Sequence, residues 1–180
     1  MSLVSSPVVF DSSVLINLLA AQQAESIIRA LAVPAYVCPA VLEETLYIRS
    51  ENVGDPPRQV SIEALLETGV LGRIELTDHE AELYVEYSMS LDDGEAMTVA
   101  VAESRRFVVA TDDKKAKRVA QRDGSSIVEV VSTPMLLHHW SKMKRPSGDV
   151  VRSAINRVEV SARFRPGSAE PLKVWWDSHR

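Results

Sequence analysis

Two rhythms of apolar positions alternate along this chain. Val8-Val9-Phe10 is a β-branched and aromatic run that stops at Asp11-Ser12-Ser13, the pattern of a buried strand ending in a helix cap. Leu15, Ile16, Leu18 and Leu19 then recur at helical spacing, and Ala24 to Ala32 is a second helical stretch closed by Val33-Pro34. Ala35 to Cys38 reads as a second strand. Pro39, a favourable first helical residue, opens a helix carrying Val41, Leu42, Leu46 and Ile48. Asn52 to Pro57 is a loop. Ile62, Leu65 and Leu66 predict a short helix, and a brief strand follows around Ile74 to Leu76.

Thr77-Asp78 with Glu80 forms a capping-box signature for a helix reaching about Ser90. Leu91 to Gly94 breaks it, and Glu95 to Ser104 is the next helix. Phe107 to Ala110 is a clear strand ending in Asp112-Asp113. Lys114 to Arg122 is a helix stopped by Asp123-Gly124, and Ile127 to Val131 is the last strand. Thr133-Pro134 opens a helix through Trp140, and Asp149 to about Val160 is a further one. From Phe164 onward no periodicity is evident.

Short apolar strands separated by helices of 10–15 residues imply βαβ units, hence an α/β fold with a parallel sheet covered on both faces. The organisation expected is a domain over residues 1–145, followed by a C-terminal helix and tail, 146–180, packed on that domain or on a partner.

Composition narrows the class. At 180 residues, 46% hydrophobic and 25% charged, the chain suits one globular domain with a full core. No apolar run approaches the roughly 18 residues of a membrane span. The opening residues lack the basic stretch of a signal peptide, and the lone Cys38 fits a reducing compartment, so a cytoplasmic protein is expected.

In an open parallel sheet, ligands bind beyond the carboxyl ends of the strands. Four segments send acids to that edge: Asp11; Glu43 and Glu44; Asp92, Asp93 and Glu95; and Asp112 with Asp113. Clustered carboxylates repel and are costly to bury, and a divalent cation relieves both problems. Hard oxygen ligands suit Mg²⁺ or Mn²⁺ rather than zinc, and such a metal can activate water against a phosphodiester. Each acid alone has a plainer reading, since Asp11, Asp92 and Asp112 all stand where helix caps belong.

The segments VVFDSSVLINLL, CPAVLEETLY, LDDGEAMTVAVA and VVATDDKKAKRVA, in this order over about residues 7–143, resemble the PIN-domain nucleases, in particular the small prokaryotic members that include toxins of toxin–antitoxin pairs. The resemblance implies a Rossmann-like three-layer α/β/α sandwich with a parallel central sheet, and Mg²⁺- or Mn²⁺-dependent endoribonuclease activity. By position it implies a metal-binding and catalytic quartet of Asp11, Glu44 (rather than its neighbour Glu43), Glu95 and Asp112, with Asp113 as a possible further ligand. Ser13 matches the small hydroxyl residue that supports the first acid. The resemblance also implies an RNA substrate, a homodimer and, for a toxin, an antitoxin partner. A catalytically silent RNA- or protein-binding module on the same fold is the rival reading.

Other features are weighed against simpler roles. Adjacent residues point to different sides of a helix, so His138 and His139 cannot face one metal. Cys38 and Trp140 read as core, Asn17 as an ordinary polar helix residue, and Trp175-Trp176 as a docking pair. The first strand lacks the Asp-x-Asp of dehalogenase-type phosphatases, and no Gly-rich phosphate loop follows a strand.

The net charge of −5 is unevenly spread. Residues 1–102 hold four Lys or Arg against sixteen acids; residues 103–180 hold sixteen against nine. The second part supplies Lys114, Lys115 and Arg118, with Lys117 and Arg122 nearby, as candidates to hold substrate phosphates beside Asp112.

Overall fold

The computed structural model describes residues 2–44, 46–50, 54–121 and 128–180. Its centre is a five-stranded sheet, all parallel, built from β1 (Val8–Phe10), β2 (Ala35–Val37), β5 (Gly72–Arg73), β6 (Val108–Ala110) and β7 (Val130–Val131) in the spatial order β5-β2-β1-β6-β7. β1 lies in the middle, with Phe10 paired to Val37 on one side and to Ala110 on the other.

The strands carry apolar residues on both faces because both are covered. Val8 and Phe10 join the larger core, with α1 (Ser12–Ala20), α2 (Ala24–Ala30), α8 (Thr133–Lys144) and α9 (Gly148–Arg157). Val9 and Val109 face the other way, toward α6 (Asp93–Arg105) and α7 (Lys114–Ala120). The α5 helix (Asp78–Ser88) packs on α6 from outside. The fold is thus the predicted three-layer α/β sandwich.

Three elements differ from the sequence reading. The helix expected from Pro39 through Ile48 is only α3 (Pro39–Glu43), after which the chain turns extended at Glu44 (ψ 133°). Leu46–Ile48 forms β3, paired antiparallel with β4 (Arg58–Val60), so Leu46 and Ile48 share a buried face while Tyr47 is exposed. Four apolar positions fit helical spacing, but the last two also fit a period of two, and cross-strand pairing decides between them. The strand expected at Ile74 to Leu76 is β5, two residues earlier. The short helix there is α4 (Glu63–Glu67).

The aperiodic tail contains α10 (Lys173–Ser178), anchored by Trp176, which is fully buried and donates from Nε1 to Glu159 at 2.9 Å. Val151, Ile155, Val158 and Trp176 lie in the same apolar cluster as Phe10. The helix expected to reach Val160 ends at Arg157 and continues as one π-helical turn, Val158–Ala162. Asn52, Arg122, Asp123-Gly124 and Ile127 lie outside the described residues.

The two histidines separate as helical geometry demands. His139 is buried against the Ala30 carbonyl at 3.0 Å, whereas the His138 ring meets Trp175 edge-on at 5.0 Å. Trp140 is buried and donates to Ser26 Oγ, and Cys38 is sealed in the core, where burial pushes its thiol up to about 12.

Candidate active site

Beyond β1 the chain continues through α1 and α2 to β2 on one side, and β6 lies on the other. The crevice between the carboxyl ends of β1 and β6 is therefore the point where strand order reverses, the usual ligand position in such sheets. Asp11 follows β1, and Thr111-Asp112-Asp113 follows β6.

Asp11 is 2% exposed and adopts the extended backbone of a helix N-cap. Its Oδ1 accepts from the Ser12 amide at 2.8 Å. Its Oδ2 accepts from Ser13 Oγ at 2.6 Å and from Thr111 Oγ1 at 3.0 Å. The same Ser13 Oγ accepts from the Asp112 amide at 3.3 Å, so one hydroxyl joins the ends of β1 and β6.

Asp112 is held from a different direction. Its Oδ1 accepts from the Thr133 amide at 3.0 Å, and its Oδ2 accepts from Thr133 Oγ1 and from Asn17 Nδ2, the latter at 2.8 Å. Lys117 Nζ lies 4.0 Å from Oδ1. Burial pushes the carboxyls of both Asp11 and Asp112 up, and the donated hydrogen bonds oppose it.

Sequence reasoning missed Asn17 and Thr133 here. Asn17 is 4% exposed and bonds both Asp112 and Thr133 Oγ1. A buried amide on an otherwise apolar helix face was the available signal, because buried polar groups need partners.

Helix capping falls differently than expected. Asp113, not Asp112, caps α7, with Oδ1 accepting from the Lys115 and Ala116 amides at 2.6 and 2.8 Å. Asp92 occupies the N-cap of α6 without a side-chain cap bond, and α6 begins at Asp93, two residues before the expected Glu95.

Glu44 and Glu95 form the outer part of the site. Glu44 is at the C-terminal end of α3 rather than inside a helix, and Glu95 is in the first turn of α6. Gly94 lets the two elements meet: a Cβ there would overlap Glu44 Oε1 and stand 3.5 Å from Val41 Cγ2. Burial pushes the Glu44 carboxyl up, and the charges of Asp11, Asp92 and Asp93 add to it. Burial and then the charges of Asp113, Asp11 and Asp92 lift Glu95 to about 7. The structure thus brings Asp11, Glu44, Glu95, Asp112 and Asp113 to one edge of the fold.

These groups suit a hard divalent cation in donor type and in uncompensated charge. They do not stand in a single coordination shell: among the described residues no group of three or more His, Cys, Asp or Glu side chains is gathered closely enough to hold an ion. Of the predicted phosphate-binding residues, Lys114 lines a groove beside Asp112 together with Lys117, while Lys115 and Arg118 are exposed and do not line it.

No described helix is long and apolar enough to cross a membrane. A family model for PIN domains, DUF3368, matches residues 7–167, extending past residue 143, where the motif resemblance ended. No curated protein and no solved structure matches the chain. Fold, strand order and family model agree, and the chain belongs to the PIN-domain family, whose fold is of nuclease type.

Proposed function

We propose that this chain is a Mg²⁺- or Mn²⁺-dependent endoribonuclease in which Asp11, Glu44, Glu95 and Asp112 hold the cation, with Asp113 beside them. The observation that carries this reading is the linked pair Asp11–Ser13–Asp112 at the crevice where strand order reverses. Two buried carboxylates at such a point, with the charge of Asp11 felt by Glu44 and Glu95, have a use when a cation is shared among them.

A bound metal would lower the pKa of a coordinated water and stabilise charge on the scissile phosphate. The protein's own groups do the positioning. Ser13 and Thr111 fix Asp11 Oδ2, leaving its orientation set before substrate arrives. Asn17 and Thr133 do the same for Asp112. Lys117, 4.0 Å from Asp112, offsets part of the negative field that an incoming phosphate would meet.

The test is RNA cleavage with Mg²⁺ or Mn²⁺ by wild type and by Asp11→Asn. Equal rates in a clean preparation would sink the assignment. RNA binding without Mn²⁺ uptake in calorimetry would instead favour a silent binding module. The toxin role and the homodimer belong to the same reading. They are tested by looking for a small antitoxin gene in the neighbouring reading frame and by sedimentation of the purified chain.

A further inference from the structure

A cavity of about 400 Å³ lies where the end of α1, the β3–β4 hairpin and the π-helical turn meet. It stands apart from the catalytic edge. Asp11 caps the start of α1, whereas the cavity is lined by Gln22 beyond its end, the length of the helix or ~13 Å away. The nuclease reading gives no task to any group in it.

The walls are tied to one another. The Arg49 amide, just past β3, donates to the Ser161 carbonyl of the π-helical turn at 2.7 Å. Across the hairpin, Ile48 pairs with Arg58. Single π-helical turns recur at functional sites, and this one brings Ser161 to the cavity.

The lining is rich in donors without partners. The guanidinium groups of Arg49 and Arg58 both line the cavity, and among the described residues neither has an ion-pair or hydrogen-bond partner. Asp55 lines it too, yet its carboxylate is engaged by Ser50 Oγ at 3.0 Å and pairs with neither arginine. Ser161 is 4% exposed, and its hydroxyl makes no hydrogen bond among the described residues, although buried polar groups nearly always find a partner. Gln22 holds a left-handed backbone (φ 57°) just past α1, where Gly is the usual choice, and so keeps an amide side chain at the cavity.

Two guanidinium forks, a hydroxyl and an amide offer more donors than the two oxygens of a carboxylate can use. A phosphate monoester presents three terminal oxygens and a charge of about −1.5 to −2 at pH 7, and two cations against one acid leave the cavity positive. The phosphodiester of a nucleic-acid chain has one free oxygen and about one charge fewer. The volume lies within the ~300–1,000 Å³ of small-ligand sites, so more than the phosphate fits. We propose that this cavity binds a small phosphate monoester of a sugar or other polyol. Arg49 and Arg58 hold the phosphate, Ser161 and Gln22 add neutral donors, and Asp55 accepts from the hydroxyl groups. The inference stands whether or not the chain is a nuclease.

Calorimetry in EDTA tests it with three matched ligands: ribose phosphate, ribose, and the methyl diester of the same phosphate. Ribose phosphate should bind one per chain and ribose not measurably. The diester should bind at least about tenfold more weakly than the monoester. Arg49→Ala and Arg58→Ala, both at exposed positions, should each weaken binding at least about tenfold, the share of a charge-assisted hydrogen bond. Gln22→Gly should weaken it about fivefold with no loss of melting temperature, because Gly suits that backbone.

The site is overturned if ribose phosphate does not bind at millimolar concentration, or if ribose or the diester binds equally well. It is overturned too if both arginine variants, melting as wild type does, bind as wild type does. RNA cleavage with Mn²⁺, run in parallel, should be unchanged in the arginine variants. Cleavage lost there would make the two arginines RNA contacts and end the proposal. A chain that never cleaves but binds as described loses the nuclease reading and keeps this site.

Discussion

Helix α6 carries a charged residue near each end, and the acids met there behave in opposite ways. In its last turn Arg105 reaches across to Glu80 of α5, with Nε 2.6 Å from Oε1. The guanidinium holds the Glu80 carboxyl down to about 2, even though the side chain is almost fully buried. In the first turn, Glu95 is raised to about 7 by burial and then by the charges of Asp113, Asp11 and Asp92. Both are glutamates in the first turn of a helix, Glu80 in α5 and Glu95 in α6; the difference is that Arg105 supplies Glu80 with a countercharge. Glu80 is also the far half of the capping box with Thr77, so it fastens α5 to α6.

Exchanging the charges should separate the two ends. The largest effect is expected from Glu95→Gln, which should cut metal-dependent hydrolysis by about 10³-fold, or ~4 kcal/mol, while leaving stability nearly unchanged. A Glu95→Gln protein as active as wild type would break the contrast.

Glu80→Ala should do the reverse, leaving cleavage intact and costing about 3 kcal/mol, the loss expected when one partner of a buried pair is removed. Melting should then fall by roughly 6–12 °C. Because the folded pKa of Glu80 lies below its unfolded value, its contribution is fully present above about pH 4.5 and fades as pH falls toward 2. The stability gap between wild type and Glu80→Ala should therefore narrow over that interval in urea titrations.

Gly94→Ala should sharpen the picture further. In a helix Ala is ordinarily the more stable choice by about 0.5–1 kcal/mol. Here its Cβ displaces Glu44, so activity should fall about 30-fold (~2 kcal/mol) with little loss of melting temperature. The smallest effect, about 1 kcal/mol of stability and a comparable loss in rate, is expected for Asn17→Ala, which removes one donor from Asp112. Unchanged kinetics in Asn17→Ala would mean that Asp112 needs no positioning from α1.

Much of this architecture was legible because strands buried on both faces leave unbroken apolar runs and because Thr77, Pro39 and Thr133-Pro134 mark helix starts. Asp11 and Asp112-Asp113 were legible by their place after strands. What escaped were features set by partners distant in sequence. Leu46–Ile48 is a strand only because Arg58–Val60 lies beside it. Asn17 matters only because Asp112 and Thr133 come within reach across more than ninety positions of chain. Glu44 is tied to Gly94 by a close approach that no local pattern encodes. The segment after Phe164 has no periodicity, yet a single buried indole sets its course.

The cap on α7 has a consequence for how the site opens and closes on its own. Seven residues are well short of the roughly 12–15 that a helix needs to persist in water. The turn bearing Lys114 and Lys117 therefore lasts only as long as Asp113 clasps its amides and Ala116, Val119 and Ala120 stay seated on the sheet. The negative and positive sides of the crevice accordingly make one cooperative unit. Amide hydrogen exchange should register them as such, with the Lys115 and Ala116 amides losing protection together when that clasp is cut.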